Sequence, residues 1–554
     1  MALGVVRAIL GPLQCHVRYC GIARRRIGRA LPWRRCRIEQ EASVSGRSGP
    51  HFVSATQRPF PTHRNSARRP GAAAPGSALN GRQLLCIIVA SHGPVVLMLG
   101  AVPTGYQFSG SQGVPLTMAI AGLCLCAFAI GNMSVAGRIR HRGGLYALVS
   151  RALGPIPGLG VATLSIAGYI GLLAAFLIVL AGGLTGQLFD AIGVDAPISL
   201  LIVLLVGVLI AVERVPLRVF TRCVAIVVIL QVAVVLAFGV LAVLHPADDT
   251  AAAAALDPAG LLTGSFSLAL CVAVTNFIGS EIGSSFSEEV VTPSRTVPRA
   301  TLAGYAITTA TLLISAWATS VVVGPANIVA AATGQLEGST GGSGEPFTVT
   351  VARQAVGGDH LDTVVNALTR TLILGGLASA VVLCQVVARQ LSGLSRDRVM
   401  TARLQPRLNG GAPLSAGLIA PLTAGAVALL AAAGQPSEIV LYLLVGSGLA
   451  ITAVLTISSL ATIVWLLRTD EGEAGFFGWE GRLVAAMFAF LTTGFVVVVG
   501  TVRLPALLPA GHTYGWLIPA SIAGGLLIGL VWVGIVRLSR PEALAGLSRQ
   551  ARAD

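Results

Sequence analysis

Apolar runs constrain the fold of this sequence most, because twelve of them follow one another between residues 83 and 537. Each is close to the ~20 residues that a helix needs to cross ~30 Å of hydrocarbon. Hydrophobic residues make up 54% of the chain, charged residues only 11%, and mean hydropathy is +0.80. We therefore predict an all-α membrane protein, since a water-soluble core cannot bury so much apolar surface. The predicted spans are 83–103, 114–136, 157–185, 197–213, 219–244, 262–286, 300–323, 364–388, 413–433, 438–467, 483–504 and 514–537.

The distribution of arginine orients these spans. All 38 basic residues are arginine, and they concentrate in every second connection. Arginine marks the cytoplasmic side of membrane helices. We therefore predict a multi-pass protein of the cell (cytoplasmic) membrane with both termini in the cytoplasm. The arginine-rich connections are 138–144, 213–222, 287–299, 389–407 and the tail from Arg537, whereas 245–258 has no arginine and 324–362 has one.

Three regions follow from this pattern. Residues 1–80 are rich in Arg, Pro, Gly and Ser without an apolar period, so we predict a disordered cytoplasmic segment. A misassigned start, a transit peptide and an arm that binds nucleic acid or lipid are the alternatives for it; no nucleic-acid partner is expected. Residues 81–540 form the twelve-span domain, and residues 541–554 form a cytoplasmic tail.

Two of the spans contain residues that interrupt a helix. Span one contains Gly93-Pro94, and span six contains Gly279 and Gly283. Proline removes a backbone donor, and glycine tolerates the dihedral angles of an unwound turn. These spans are five apart, which is the spacing of corresponding helices in a 5+5 inverted repeat. We predict broken first and sixth helices, with two extra C-terminal helices after the repeat.

Unwound backbone inside a membrane suggests a binding site, because it is tolerated only beside a cavity or within protein. Half-helix N-termini can hold a carboxylate, and freed carbonyls can hold an ammonium group. An amino acid zwitterion or an amine fits both. Glu281 lies between Gly279 and Gly283, and burial favours the neutral form of an acid, so it could bind and release a proton. Alternatively, span six ends near residue 279 and Glu281 is interfacial.

The stretch "FIGSEIGSSFSEEVVTPSRTVPRAT" (277–301) resembles the sixth-span signature of the amino acid–polyamine–organocation (APC) superfamily. Two further stretches, 140–169 and 387–404, resemble the superfamily's entry to span three and its segment after span eight. The resemblance extends over residues 82–540, and span one is similar to a variant found in bacterial permeases. The matching residues of the signature are Gly279, Glu281, Glu288, Glu289, Pro293, Arg295, Pro298, Arg299 and Ala300.

This resemblance implies a leucine-transporter-type fold and a secondary active transporter of an amino acid or related amine. It implies alternating access, with proton coupling or exchange, and a substrate cradle between spans one, three, six and eight. The alternative is a membrane-embedded amino acid sensor or receptor with the same fold but no turnover. We expect no enzyme, since no catalytic constellation is found, and a channel would require rings of like polar residues.

The predicted site residues follow from the interruptions and from the resemblance. The substrate-binding residues are Ala90, Ser91, His92, Gly93, Asn276, Phe277, Gly279 and Ser280. The coupling or gating residues are Glu281, His92, Glu288 and Arg295, where Arg295 and Arg299 would pair with Glu288 and Glu289 as an inner gate. A histidine titrates near neutral pH, which suits a proton relay; alternatively, His92 is neutral and bonded to a freed carbonyl. Gln231 and Asn276 are predicted to bridge helices.

No cofactor and no metal are expected. The nine cysteines form no CxxC pair, so a zinc or redox site is not indicated. The expected partners are a small-molecule substrate, protons and the lipid bilayer, and the expected assembly is a monomer or homodimer.

Overall fold

The computed structural model describes residues 79–139, 141–339, 347–356, 361–404, 414–434, 436–469, 478–508 and 515–539. Within these ranges the chain is helical, and the only extended pairing is an isolated bridge between Leu79 and Val290. The predictions for residues 1–80 and 541–554 fall almost entirely outside the described residues.

The first half of the chain forms helices α1 to α11. Their bounds are α1 (Gly81–Ala90), α2 (Pro94–Val96), α3 (Val102–Ser109), α4 (Val114–Phe128), α5 (Ser134–Ala136), α6 (Leu145–Ala152), α7 (Pro155–Ile192), α8 (Ile198–Val212), α9 (Leu217–Leu244), α10 (Ala251–Ala254) and α11 (Phe266–Thr275). Two π-helical turns, Leu97–Ala101 and Ala129–Met133, join α2 to α3 and α4 to α5. A 3₁₀ turn, Pro258–Leu262, precedes α11.

The second half begins with a ten-residue 3₁₀ segment, Ser280–Glu289. Helices α12 to α19 follow: α12 (Pro293–Val323), α13 (Ile328–Ser339), α14 (Phe347–Val356), α15 (Leu361–Arg396), α16 (Leu414–Ala432), α17 (Pro436–Arg468), α18 (Trp479–Val502) and α19 (Leu517–Ser539). Short 3₁₀ turns lie at Ala402–Leu404 and Leu504–Ala506.

Eleven helical segments among the described residues are long and apolar enough to cross a membrane. They correspond to every predicted span except the fourth. At that position α8 has 15 residues, which is about 22 Å of helix at 1.5 Å per residue and shorter than the ~30 Å of hydrocarbon. The sequence pattern therefore located the apolar segment correctly, but the helix itself is short.

The surface and the interior of the bundle are both apolar. Ile226, Val243 and Leu491 are 68%, 62% and 64% exposed, which is the expected surface of helices that face lipid and not water. Inside, α7 packs against α15, α16, α17 and α19.

Two helices in the connection between spans seven and eight were not predicted. They are α13 and α14, which lie in the arginine-poor segment 324–362. The Thr348 hydroxyl of α14 donates to the Met98 carbonyl at 3.0 Å, within the π-helical turn of span one. This contact holds α14 against the first span.

Candidate functional site

Regular helix stops within span one over residues 91–93, here called the first turn. Helix α1 ends at Ala90, and α2 begins at Pro94, where the missing N–H of proline costs no helical bond. Gly93 has φ 62° and ψ 94°, a backbone conformation that favours glycine. A Cβ there would lie 2.8 Å from Val96 Cγ2 and 3.0 Å from Ser379 Oγ. Both the dihedral angles and the space therefore require glycine at position 93.

A second turn, residues 276–279, follows α11. Asn276 caps that helix, Gly279 has φ 114°, and the chain continues as the 3₁₀ segment Ser280–Glu289. A Cβ on Gly279 would lie 2.5 Å from Ser91 Oγ. The two turns are thus in direct contact, although 188 positions separate Ser91 from Gly279 in the sequence.

His92 connects the two turns. The side chain is 3% exposed, its Nε2 lies 2.9 Å from the Phe277 carbonyl oxygen, and its Nδ1 lies 3.1 Å from that of Ile88. The hydroxyls of Ser280 and Ser91 each lie 3.2 Å from one of the ring nitrogens. A neutral imidazole has one N–H and can donate to only one of the two carbonyls, whereas a protonated ring donates to both.

Glu281 is 1% exposed and accepts two hydrogen bonds. The Tyr169 hydroxyl of α7 donates to Oε1 at 2.6 Å, and the Gly279 N–H donates to Oε2 at 2.8 Å. One of these bonds reaches span three, and the other closes the second turn. Both carboxyl oxygens act as acceptors, so Glu281 links span three to the second turn.

Both turns border a cavity of about 310 Å³. Of the predicted substrate-binding residues, Ser91, His92 and Asn276 line it, together with Thr275. The other five, Ala90, Gly93, Phe277, Gly279 and Ser280, are not in its lining and form the turns behind it. The cavity extends past Thr104 to Phe108 and Leu507, which border two connections on the arginine-poor side of the predicted topology.

Two polar side chains from other spans support the first turn. Gln231 of α9 accepts the Val95 N–H at 3.2 Å, so the prediction that Gln231 bridges helices is confirmed. Ser379 of α15 donates to the Ala90 carbonyl at 2.7 Å, and sequence reasoning missed this residue. The Asn276 amide, in contrast, donates to Val272 within its own helix at 2.8 Å, so a helix-bridging role is not observed for it.

Glu288 and Glu289 form ion pairs at the arginine-rich end of the bundle. Arg142 Nε lies 3.1 Å from Glu288 Oε2, and Arg396 also pairs with Glu288. Arg389 binds Glu289 in bidentate fashion, at 3.1 Å and 2.9 Å, and its guanidinium lies 4.1 Å from the Phe286 ring centroid. These five charged residues, Arg142, Glu288, Glu289, Arg389 and Arg396, are called the ion-pair cluster below.

The ion pairs of Glu288 and Glu289 among the described residues do not include Arg295, although the sequence predicted it as a partner. Arg295 is exposed on the first turn of α12, and no described residue forms an ion pair with it. The reason is the direction of the chain: Glu288 and Glu289 end the buried 3₁₀ segment and face α15 and the 138–144 connection, whereas α12 starts beyond the bend at Thr292. The observed partners, Arg142, Arg389 and Arg396, lie in the two other stretches that resemble the superfamily, 140–169 and 387–404. From the sequence alone, these arginines indicated only the topology and the family.

A neighbouring group extends the ion-pair cluster. Asp397 accepts from the Tyr146 hydroxyl at 3.0 Å and lies 3.1 Å from His141 Nε2. Burial raises the pKa of Tyr146 well above its ordinary value, and Asp397 raises it further, so the phenol remains a hydrogen-bond donor. Burial also lowers the pKa of the Arg142 guanidinium, and the adjacent Glu289 and Glu288 oppose that shift.

Among the residues that the structure describes, no three His, Cys, Asp or Glu side chains converge in a group that could hold a metal ion. The family model described as amino acid permease matches residues 83–539, which is most of the chain. No curated protein matches the chain.

Proposed function

The chain belongs to the amino acid permease family, and from that premise we propose that it is a secondary active transporter of an amino acid or a related amine. The observation that carries the proposal is the contact between the two turns, at each of which regular α-helix is interrupted, at the edge of a cavity. The eleven long apolar helices among the described residues support a multi-pass membrane protein.

We propose a twelve-span arrangement in which α8 is the short fourth span. The two turns then interrupt spans one and six of a 5+5 inverted repeat, and α18 and α19 are the two additional helices. Support comes from the contact of Gly279 with Ser91, because an inverted repeat brings its two interrupted helices together.

The substrate cradle in this proposal consists of main-chain groups of the two turns. The carbonyl end of α11 would hold the ammonium group, and the N-terminal end of α2, where Gln231 now accepts the Val95 N–H, would hold the carboxylate once Gln231 releases that N–H. Ser91, His92, Thr275 and Asn276 line the cavity beside these helix ends. A zwitterion would thus be bound without a charged side chain in direct contact.

Access to the cradle is one-sided in this conformation. The cavity reaches Phe108 and Leu507, while the ion-pair cluster joins the 3₁₀ segment to α15 at the opposite end. If the arginine-rich face is cytoplasmic, as the arginine distribution indicates, this is an outward-open state with its inner gate closed. Alternating access would require the cluster to separate.

Glu281 is the proposed coupling residue. Its two oxygens accept from Tyr169 and from the Gly279 N–H, so a proton placed on Oε2 would remove the acceptor of the Gly279 N–H. Proton binding would therefore loosen the second turn directly. His92 would respond to the same change, because its Nε2 contacts the Phe277 carbonyl in that turn.

Uptake by the full-length protein in liposomes tests this function. A proton gradient is imposed and labelled amino acids and amines are supplied, with protein-free liposomes as the control. We expect gradient-dependent accumulation of at least one of them. Binding that raises the melting temperature without any flux would favour the sensor alternative, and the absence of both binding and flux would refute the transporter proposal.

A further inference from the structure

The cavity is lined by residues other than acids and arginines. Among the described residues of its lining there is no Asp, Glu or Arg, and the polar members are Ser91, His92, Thr104, Thr275 and Asn276. Three of these five belong to the two turns, and Thr275 ends α11 directly before the second turn. The polar groups are therefore concentrated at one end of the cavity, where the proposed function places the backbone of the substrate.

Several of these polar side chains are already engaged within their own helices. The Thr104 hydroxyl donates to Ala101 and Gly100, and the Thr275 hydroxyl donates to Val272 and Cys271. The Ser91 hydroxyl donates to Ile88 at 2.6 Å. Both ring nitrogens of His92 are engaged as well. Asn276, whose amide nitrogen donates to Val272, therefore has the most hydrogen-bonding capacity left for a ligand, and it lies at the second turn.

The rest of the wall is aliphatic and aromatic. It includes Leu97, Leu172, Phe176, Leu441, Leu444 and Val445. A charged group placed against such a wall would lose its hydration without gaining a partner. Glu281 cannot supply one, because it is outside the lining and both of its oxygens are occupied.

Size narrows the range of substrates further. A volume of about 310 Å³ is at the lower end of ligand pockets, which are about 300–1,000 Å³. Glycine or alanine would leave much of this wall without contacts, and unfilled apolar space forfeits dispersion attraction. A large apolar side chain fills it.

We infer that the substrate is an α-amino acid with a large, uncharged, apolar side chain, and that arginine, lysine, glutamate and polyamines are excluded. This inference rests on the proposed transport function and on the apolar half of the same cavity. A polyamine is excluded for a specific reason: its second ammonium group would lie against the apolar wall, where the lining offers no acid.

A panel of labelled and unlabelled compounds tests the inference on the full-length protein. L-leucine, L-phenylalanine, glycine, L-glutamate, L-arginine and putrescine are compared by thermal shift in detergent and by counterflow in liposomes. We expect leucine or phenylalanine to act at a concentration at least about tenfold below that of glycine, since one methylene in an apolar pocket is worth about 10–200-fold.

The outcomes separate the two proposals. Transport of arginine, glutamate or putrescine in preference to leucine and phenylalanine would refute the substrate class and leave the transporter function standing. If none of the panel binds or exchanges, the transporter function fails and the inference fails with it.

Two variants of cavity residues and a matched control test whether the substrate side chain binds against the apolar wall of the cavity. Phe176→Ala enlarges the cavity and should weaken leucine binding at least about tenfold, and Val445→Asp adds an acid that should admit arginine or putrescine. Phe238→Ala is the control, because Phe238 is buried to a similar degree, 4% exposed against 9% for Phe176, but does not line the cavity. If Phe176→Ala and Phe238→Ala change the order of preference among the six compounds equally, the substrate side chain does not bind beside Phe176, and the inference is overturned.

Discussion

At the end of the bundle bordered by Phe108 and Leu507, the space between the helices is a cavity with apolar walls. At the opposite end, Arg142, Arg389 and Arg396 form ion pairs with Glu288 and Glu289. These ion pairs join the 3₁₀ segment to α15 and to the 138–144 connection. Apolar surfaces slide and repack without losing directed bonds, whereas a buried ion pair must be separated and rehydrated before it opens. The difference teaches that the two ends should not open with equal ease, because only the charged end must lose directed bonds before its elements separate.

The largest effect is expected at the charged end. Arg389→Ala would leave Glu289 buried without its bidentate partner, and Arg389 itself is only 3% exposed. Breaking such a pair costs about 3–5 kcal/mol. We expect a lower melting temperature and a loss of substrate uptake, measured on the same protein preparation.

Arg295→Ala is the control for this prediction. Arg295 is exposed on the same face of the protein, and such a substitution usually changes stability by less than about 0.5 kcal/mol. If the two arginine variants behave alike, the ion-pair cluster does not close the charged end.

The next largest effect concerns the contact between the two turns. Gly279→Ala places a Cβ 2.5 Å from Ser91 Oγ at a φ of 114°. Strain of this kind costs about 1–3 kcal/mol before the clash is counted, so we expect uptake to fall at least about tenfold. Uptake rates measured at saturating and limiting substrate show the change.

Gly182→Ala and a double variant sharpen this test. An added Cβ at Gly182 would meet no atom within 4 Å, so Gly182→Ala should leave uptake unchanged. Combining Gly279→Ala with Ser91→Gly removes the clash but not the strained φ, and partial recovery is expected. Full activity of the single variant Gly279→Ala would show that the two turns are not packed as described.

Between the two ends lies Glu281, and its replacement should change the pH dependence of uptake. Glu281→Gln keeps the size of the side chain but cannot titrate. If Glu281 is the coupling acid, uptake by the unmodified protein changes up to about tenfold per pH unit on one side of its titration, and the variant shows a flat profile. Initial rates between pH 5 and pH 8 measure this.

Tyr169→Phe provides the matched comparison. It removes the 2.6 Å bond to Glu281 but leaves the acid in place, so the profile should shift and keep its shape. An unaltered pH profile in Glu281→Gln would exclude this acid from coupling.

The smallest effect is expected at Glu213, which extends the charged end. Gln385 donates to Glu213 at 2.8 Å and accepts from Arg389. Burial raises the pKa of Glu213 from 4.5 to about 7, against the opposing charge of Arg389. The folded protein thus holds this proton more tightly than the unfolded chain, and the associated stability is lost as pH rises from about 4.5 to about 7.

Glu213→Gln should remove that part of the pH dependence. We expect the melting temperature of the unmodified protein to fall relative to the variant across this window, by about 2–4 °C for each kcal/mol. Thermal unfolding at pH 5 and pH 8 gives the comparison. A parallel response of both proteins would show that Glu213 does not titrate in this range.

The sequence predicted the apolar helices well because each carries its own signal of length and hydropathy. Glycine and proline also indicated where regular helix ends, at Ala90 and before Gly279. Partners in space were harder to predict. Tyr169 and Glu281 are 112 residues apart, and which faces of α7 and the 3₁₀ segment meet depends on the rotation and tilt of each helix, which hydropathy does not specify.

The same reason applies to the ion-pair cluster. The motif places Arg295 close to Glu288 and Glu289 in the sequence, but Arg389, which pairs with Glu289, and Arg396, which pairs with Glu288, come from α15, about 100 positions later. Helices α13 and α14 were missed because the 324–362 segment was treated only as a connection poor in arginine. The alternating apolar residues at the start of Phe347–Val356 are typical of a strand and not of a helix, so they gave no local signal for α14.

One main-chain hydrogen bond connects the start of the first span to the ion-pair cluster. The Leu79 N–H, just before α1 begins, donates to the main-chain carbonyl of Glu289 at 2.7 Å. The backbone ahead of the first span is therefore bonded to the backbone of a residue whose side chain belongs to the ion-pair cluster. A pull on the backbone ahead of α1 would be transmitted to that acid without passing through any side chain. The hydrogen–deuterium exchange rate of the Leu79 amide would measure how often this hydrogen bond opens.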